Sequence, residues 1–203
     1  MTPTRTPASH RSPATAAQLD RHLPGEEGTW VFIFGDMTVF AILFGVYLYY
    51  RSEQVVLFRE SQLRLNQTFG AVNTLVLLTS SLFVVSAVRA MRRQARVLAG
   101  RLIYGAMALG VVFVCNKAIE YGQKISHHLV PATNQFFMYF YVMTGLHLVH
   151  VLIGLALLMF MVRLTRRPSL TDRELGYLEG AGCFWHMVDL LWIIIFPLLY
   201  LVK

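Results

Sequence analysis

The sequence predicts an all-α integral membrane protein, a bundle of five transmembrane helices with its N-terminus in the cytoplasm and its C-terminus on the opposite side. Three observations carry that reading. The 203 residues are 56% hydrophobic and only 14% charged, with a mean hydropathy of +0.53, which is outside the range of a soluble domain of this length. Five apolar stretches, at about 29–50, 71–91, 102–121, 135–162 and 180–202, each approach or exceed the roughly 20 residues that a helix needs to cross a bilayer. The cations are uneven: twelve Lys and Arg fall on the side that receives the N-terminal tail and the loops Arg89–Arg101 and Arg163–Arg173, and six on the other. Lys and Arg are held on the cytoplasmic side during insertion, which sets the orientation.

Taken in order, residues 1–22 form a tail rich in Thr, Ser, Pro and Ala with no apolar run that could serve as the core of a signal peptide. This composition predicts a disordered cytoplasmic tail, followed by a membrane domain over 23–203. "LPGEEG" (23–28) supplies turn formers and two carboxylates suited to the positive end of the first helix. After that span, "RSEQVVLFRESQLRLNQTFG" mixes charge with scattered Val, Leu and Phe and predicts an interfacial segment. "RRQARVLAGR" reads as a short basic turn, "HHLVPATN" as a short outer loop and "RLTRRPSLTDRELG" as a basic inner connection. The third span is broken only by Asn116, Lys117 and Glu120 near its end, and Lys117 and Glu120 read as an ion pair near the outer surface. Cys115 and Cys183 both fall inside spans, so free buried thiols are expected. The net charge of +7 is a topology signal plus attraction to anionic lipid, and with no exposed domain to carry it a nucleic-acid partner is excluded.

An ionisable side chain at bilayer depth costs about 2.5–3.5 kcal/mol on insertion scales, so each one asks for a reason. The candidates are Asp36 on the first span, Asn73 on the second, Glu120 on the third, His147 and His150 on the fourth, and His186 with Asp189 on the fifth. A spacing of three puts His147 and His150 on one helix face, and likewise His186 and Asp189. At 1.5 Å per residue, Asp36 and His186 lie about 9 Å into their spans and Asp189 about 14 Å, so these three are expected at one level. Two readings follow. One is a proton-holding or ligand-binding cluster among the first, fourth and fifth spans. The other is interhelical hydrogen bonding, about 0.6–2 kcal/mol per contact, which fixes which helices pack. Heme or metal ligation by His147, His150 and His186 is the sharper alternative, but there is no CxxCH and no repeated ExxH. A small proton or solute carrier using Asp36 and Asp189 would favour broken helices and a repeat, and neither is evident.

Five blocks, "WVFIFGDMTVFAILFGVYLYYR" (30–51), "NTLVLLTSS" (73–81), "IEYGQ" (119–123), "FYVMTGLHLVHVLIG" (140–154) and "FWHMVDLLWIIIFPLLY" (184–200), follow one another in the order of a known family. The chain resembles subunit III of the heme-copper oxidases from about residue 23 onward. It resembles the short five-helix form, which lacks the two leading helices of the mitochondrial type. "LPGEEGTWVFIFGDM" and "LNQTFGAVNTLVLLTSS" look most like the accessory protein associated with bacterial nitric oxide reductase, with subunit III of a cytochrome c or quinol oxidase as the alternative. The resemblance implies a multi-pass protein of the bacterial inner membrane with a periplasmic C-terminus. It implies a protein that binds no heme, copper or other metal and is not itself catalytic. It also implies that the protein packs against the catalytic subunit of an oxidase or nitric oxide reductase and holds phospholipid. Asp36 stands at the family's intramembrane carboxylate position, His186 and Asp189 are expected to tie the fifth span to the fourth, and Arg163 aligns to within one position of a residue that binds a lipid headgroup.

Overall fold

The computed structural model describes residues 27–167 and 170–202. The expected tail over 1–22 lies outside them. Among the described residues the chain is helical throughout, with no strand: α1 (Glu27–Glu53), α2 (Val55–Leu63), α3 (Gln67–Arg92), α4 (Arg96–Ser126), α5 (Gln135–Thr165), α6 (Asp172–Phe196) and a π-helical turn (Pro197–Leu201). Five of these, α1, α3, α4, α5 and α6 with its π turn, are long and apolar enough to cross a membrane. The expected five-helix, all-α architecture is therefore present, and α2 is the short segment between the first two spans.

Heptad seams assemble the bundle. On α3 the buried positions Gly70, Asn73, Leu77, Ser80, Val84, Ala87 and Met91 recur at steps of three and four. On α4 Ala99, Ile103, Ala106, Gly110, Phe113, Lys117, Glu120 and Lys124 do the same. Small residues on both seams let the two backbones approach, the usual basis of helix association in lipid. The α3–α4 pair forms the most extensive helix contact. α6 lies innermost, packed on α5, α3 and α1, and Trp185, Val188, Leu191, Trp192 and Ile195 are buried along it. α1 is the most peripheral span and buries only Ile33, Phe40 and Tyr47, at seven-residue spacing. α2 rests on α5, with Phe58 edge-on to Tyr47 and Phe136 at 5.4 and 5.7 Å.

Two spans are longer than hydropathy suggests. α4 and α5 have 31 residues each, about 46 Å at 1.5 Å per residue, so they extend past a hydrocarbon core of about 30 Å. The apolar window of the third span closes at Glu120 because charges accumulate there, whereas the helix continues to Ser126.

Both α3 and α4 end in Schellman turns. Ala95 N–H donates to Ala90 O and Gln94 N–H to Met91 O, while Leu129 N–H donates to Lys124 O and His128 N–H to Ile125 O. The left-handed position in each turn is not glycine: Gln94 has φ 61° and His128 φ 59°. A side chain costs about 1–2 kcal/mol in that conformation, and glycine is the usual occupant. Gln94→Gly and His128→Gly are each expected to raise stability by about 0.5–1 kcal/mol, read as a higher midpoint of thermal unfolding in detergent.

Candidate functional site

The intramembrane polar side chains fall into separate contacts, and each is made between particular helices. At the outer end by the expected orientation, Glu120 is the centre of a buried cluster. Lys117 Nζ lies 2.7 Å from Glu120 Oε2, Tyr200 donates to Glu120 Oε1 at 2.7 Å, and Lys117 also donates to the Tyr200 oxygen at 3.1 Å. Lys124 approaches Glu120 at 3.9 Å. Lys117 is 1% exposed and Glu120 2%. The expected Lys117–Glu120 pair thus forms, and both side chains are buried between helices. The reason is in the seam: positions 117, 120 and 124 continue the buried stripe of α4, and Tyr200 closes over them. Lys117 Nζ also lies 4.7 Å from the ring centre of Trp192 and 5.3 Å from that of Phe140, positions in which a ring quadrupole attracts a cation.

The π turn builds this end. Pro197 cannot donate to the helix and its ring crowds the preceding turn, so the α-helical ladder opens into a wider one. The carbonyls left at the helix end are met by side chains from three other helices. Tyr47 of α1 donates to Leu198 O at 3.3 Å, Arg51 of α1 to Val202 O at 2.8 Å, Gln62 of α2 to Leu199 O at 3.1 Å and Gln67 of α3 to Tyr200 O at 2.9 Å. Carbonyls at a helix end need such partners wherever water is scarce.

In the middle of the bundle Asn116 donates to Asn73 at 2.9 Å, Ser80 to the Ala106 carbonyl at 3.0 Å, and Trp192 to Thr74 at 3.1 Å. Asn73 thus ties α3 to α4. His147 is fully buried beside these contacts, with Phe113 and Trp192 at ring distances of 5.5 and 5.2 Å. Among the described residues neither of its ring nitrogens has a hydrogen-bond partner.

The arginine-rich half holds the remaining candidates, and they do not meet as the equal-depth estimate expects. Asp36 of α1 faces His150 of α5, with 3.2 Å between Oδ2 and Nε2, while His150 Nδ1 lies 2.8 Å from the Leu146 carbonyl. A carbonyl only accepts, so Nδ1 carries a hydrogen. Nε2 then either accepts from a protonated Asp36 or donates to its carboxylate, so the pair shares one proton between two helices. His186 turns to α3: its Nδ1 is 2.5 Å from Ser81 Oγ, and Asp189 lies beside the same hydroxyl. His186 therefore ties the fifth span to the second, not to the fourth as the resemblance implies. Two turns nearer the basic end along α6, Arg92 donates to Glu179 at 2.7 and 3.0 Å. Arg163 is exposed in the last turn of α5.

His147, His150 and His186 thus have three different surroundings, and a shared helix face does not bring the first two together. Among the described residues no three of His, Cys, Asp and Glu converge as metal donors. What the arrangement does chemically is satisfy polar groups across helix seams. Sequence reading passes over Tyr200, Ser81, Gln62, Gln67 and the Arg92–Glu179 pair. For Ser81 the signal is its place in "TSS" on the α3 seam, and for Tyr200 nothing short of the fold supplies one.

Comparisons with known proteins agree with this architecture. The family model described as cytochrome c oxidase subunit III matches residues 26–203. Cytochrome c oxidase subunit 3 of Synechocystis is 31% identical over 177 residues, covering 86% of this chain and 74% of that one. Cytochrome bo(3) ubiquinol oxidase subunit 3 of Buchnera aphidicola is 28% identical over 178 residues, 86% of this chain and 84% of that one. A heme-copper oxidase subunit I+III of Aeropyrum pernix is 26% identical over 179 residues, 85% of this chain but 22% of that polypeptide. With five membrane-spanning helices in place and nearly the whole chain matched, this multi-pass membrane protein belongs to the cytochrome c oxidase subunit III family.

Proposed function

We propose that this chain is a non-catalytic subunit of a respiratory heme-copper oxidase in a bacterial inner membrane, where it packs against the catalytic subunit and stabilises it. The observation that carries the reading is where the buried polar groups go. Asp36, Asn73, Glu120, His150 and His186 face partners on neighbouring helices, which leaves electron transfer to prosthetic groups held elsewhere. The name of the Aeropyrum relative supports a partnership with subunit I, since one polypeptide there carries both parts. The arginine-rich ends of the spans face the cytoplasm in this reading, and Arg163, in the last turn of α5, faces phospholipid headgroups.

The named relatives are subunits of a cytochrome c oxidase and a ubiquinol oxidase, and they favour an oxidase partner over a nitric oxide reductase. The reductase-associated reading keeps one support of its own, the blocks "LPGEEGTWVFIFGDM" and "LNQTFGAVNTLVLLTSS". Extraction in mild detergent followed by mass spectrometry of what accompanies the chain separates the two. The expected companion is the catalytic subunit of an oxidase; a nitric oxide reductase in its place would establish the second reading. The isolated chain is expected to show no Soret absorbance, and deleting its gene should reduce the partner's activity without abolishing it. A redox-active chromophore in the isolated chain, or a partner unaffected by deletion, would overturn both readings.

A further inference from the structure

The arginine-rich ends of α3 and α6 enclose a groove of about 240 Å³. Val85 and Val88 of α3 and Gly182 and Cys183 of α6 form its walls, Arg89 and Arg92 stand at one end, and His186 lines it beyond. Gly182 opens the space: a Cβ added there would meet only the Val88 and Val84 methyls, at 3.5 and 3.7 Å.

The mouth of the groove is organised for an anion. Arg92 Nε and Nη2 both donate to one oxygen of Glu179. The carboxylate side chain is 6% exposed and the guanidinium 58%. The buried acid thus fixes the planar fork in place and leaves its remaining N–H groups directed outward, and such a fork matches phosphate geometry. Arg89, three residues earlier, lies on the same helix face and is exposed. Two guanidinium groups face one carboxylate, so the mouth carries one uncompensated positive charge. Below it the walls are apolar, between two helices long enough to span a bilayer.

We propose that this groove is a binding site for one anionic phospholipid, with its phosphate between Arg89 and Arg92 and part of one acyl chain along Val85, Val88 and Gly182. A basic mouth above an apolar groove between transmembrane helices is the arrangement that selects anionic headgroups at a membrane surface. The site belongs to α3 and α6, apart from Arg163 on α5, and does not depend on which oxidant the partner enzyme reduces.

The full chain in mild detergent, supplied with phosphatidylglycerol or phosphatidylcholine and followed by native mass spectrometry, tests the proposal. Wild type should retain one phosphatidylglycerol and discriminate against phosphatidylcholine. Arg89→Gln should weaken retention about 5-fold, the loss that one surface cation carries near anionic lipid. Gly182→Leu should abolish retention with no change of charge, with Gly182→Ala as its folding control. In a second arm, an uncharged, water-soluble thiol reagent is applied in vesicles of each lipid and the labelling of Cys183 is read. Phosphatidylglycerol should protect Cys183 and phosphatidylcholine should not. Equal retention of the two lipids, or no loss in Arg89→Gln, would overturn the site. So would modification of Cys183 at one rate in both lipids, which marks a water-filled groove. Protection that appears only when the catalytic subunit is present, whatever the lipid, would assign the groove to that subunit instead.

Discussion

Glu120→Ala is expected to cost about 3–5 kcal/mol of stability, the loss that follows when one partner of a buried ion pair is removed and the other stays charged. The cost is large because the carboxylate serves three groups at once: Lys117 at 2.7 Å, Tyr200 at 2.7 Å and Lys124 at 3.9 Å. Without it, two lysines that are 1% and 6% exposed share one stripe of α4 with no acid between them. The double variant Glu120→Leu with Lys117→Met removes the charge together with its partner and is expected to recover most of the loss. A buried ion pair replaced by apolar side chains of similar volume is often neutral or stabilising. Lys124 lies a turn closer to the end of α4, where its long stem can carry the ammonium outward. Thermal unfolding in detergent reads all three proteins. If Glu120→Ala melts with wild type, the cluster contributes nothing to holding α6 against α4.

The second large effect is expected at Trp185, which is 1% exposed on α6 and reaches two other helices. A Cβ on Gly110 of α4 would sit 3.0 Å from the indole, and one on Gly154 of α5 would sit 2.7 Å from it. The ring is therefore lodged between two backbones stripped of side chains. Trp185→Ala should lose about 3–5 kcal/mol, because rigid helices cannot collapse into the space. Gly154→Val drives a branched side chain into the ring edge and should cost about 1–3 kcal/mol by overpacking. Trp185→Phe is the informative contrast. Trp185 Nε1 has no hydrogen-bond partner among the described residues, so the smaller ring forfeits packing alone and should retain most of the stability. Similar melting of the Phe and Ala variants would show that a single ring recovers none of the packing between Gly110 and Gly154.

Much of the fold is legible from composition, because lipid leaves few alternatives to apolar helices. The five spans and the short segment at α2 follow from hydropathy and charge. Direction around a helix is not legible in this way. Asp36, His186 and Asp189 are placed at one level by counting residues, yet Asp36 turns to His150 and His186 to Ser81. His147 and His150 differ by 60° on a 3.6-residue helix, enough to put one against Trp192 and the other against Asp36. The burial of Glu120 between helices goes unread for another reason. Three charges within eight residues close an apolar window, although their spacing continues the seam of Ala99, Ile103, Ala106, Gly110 and Phe113. Reading the seam before the charges would have placed Lys117 and Glu120 inside. Tyr200, which completes that cluster, is on another helix 80 residues away, and no local pattern announces it.

The widened turn after Pro197 has a consequence for biogenesis. Tyr47, Arg51, Gln62 and Gln67 are synthesised and inserted long before the carbonyls of residues 198–202 that receive them. A nascent chain arrested before this turn has four polar side chains without these acceptors, and Glu120 faces only the lysines of its own helix. Closure of that end thus comes only after residues 198–202 have been made.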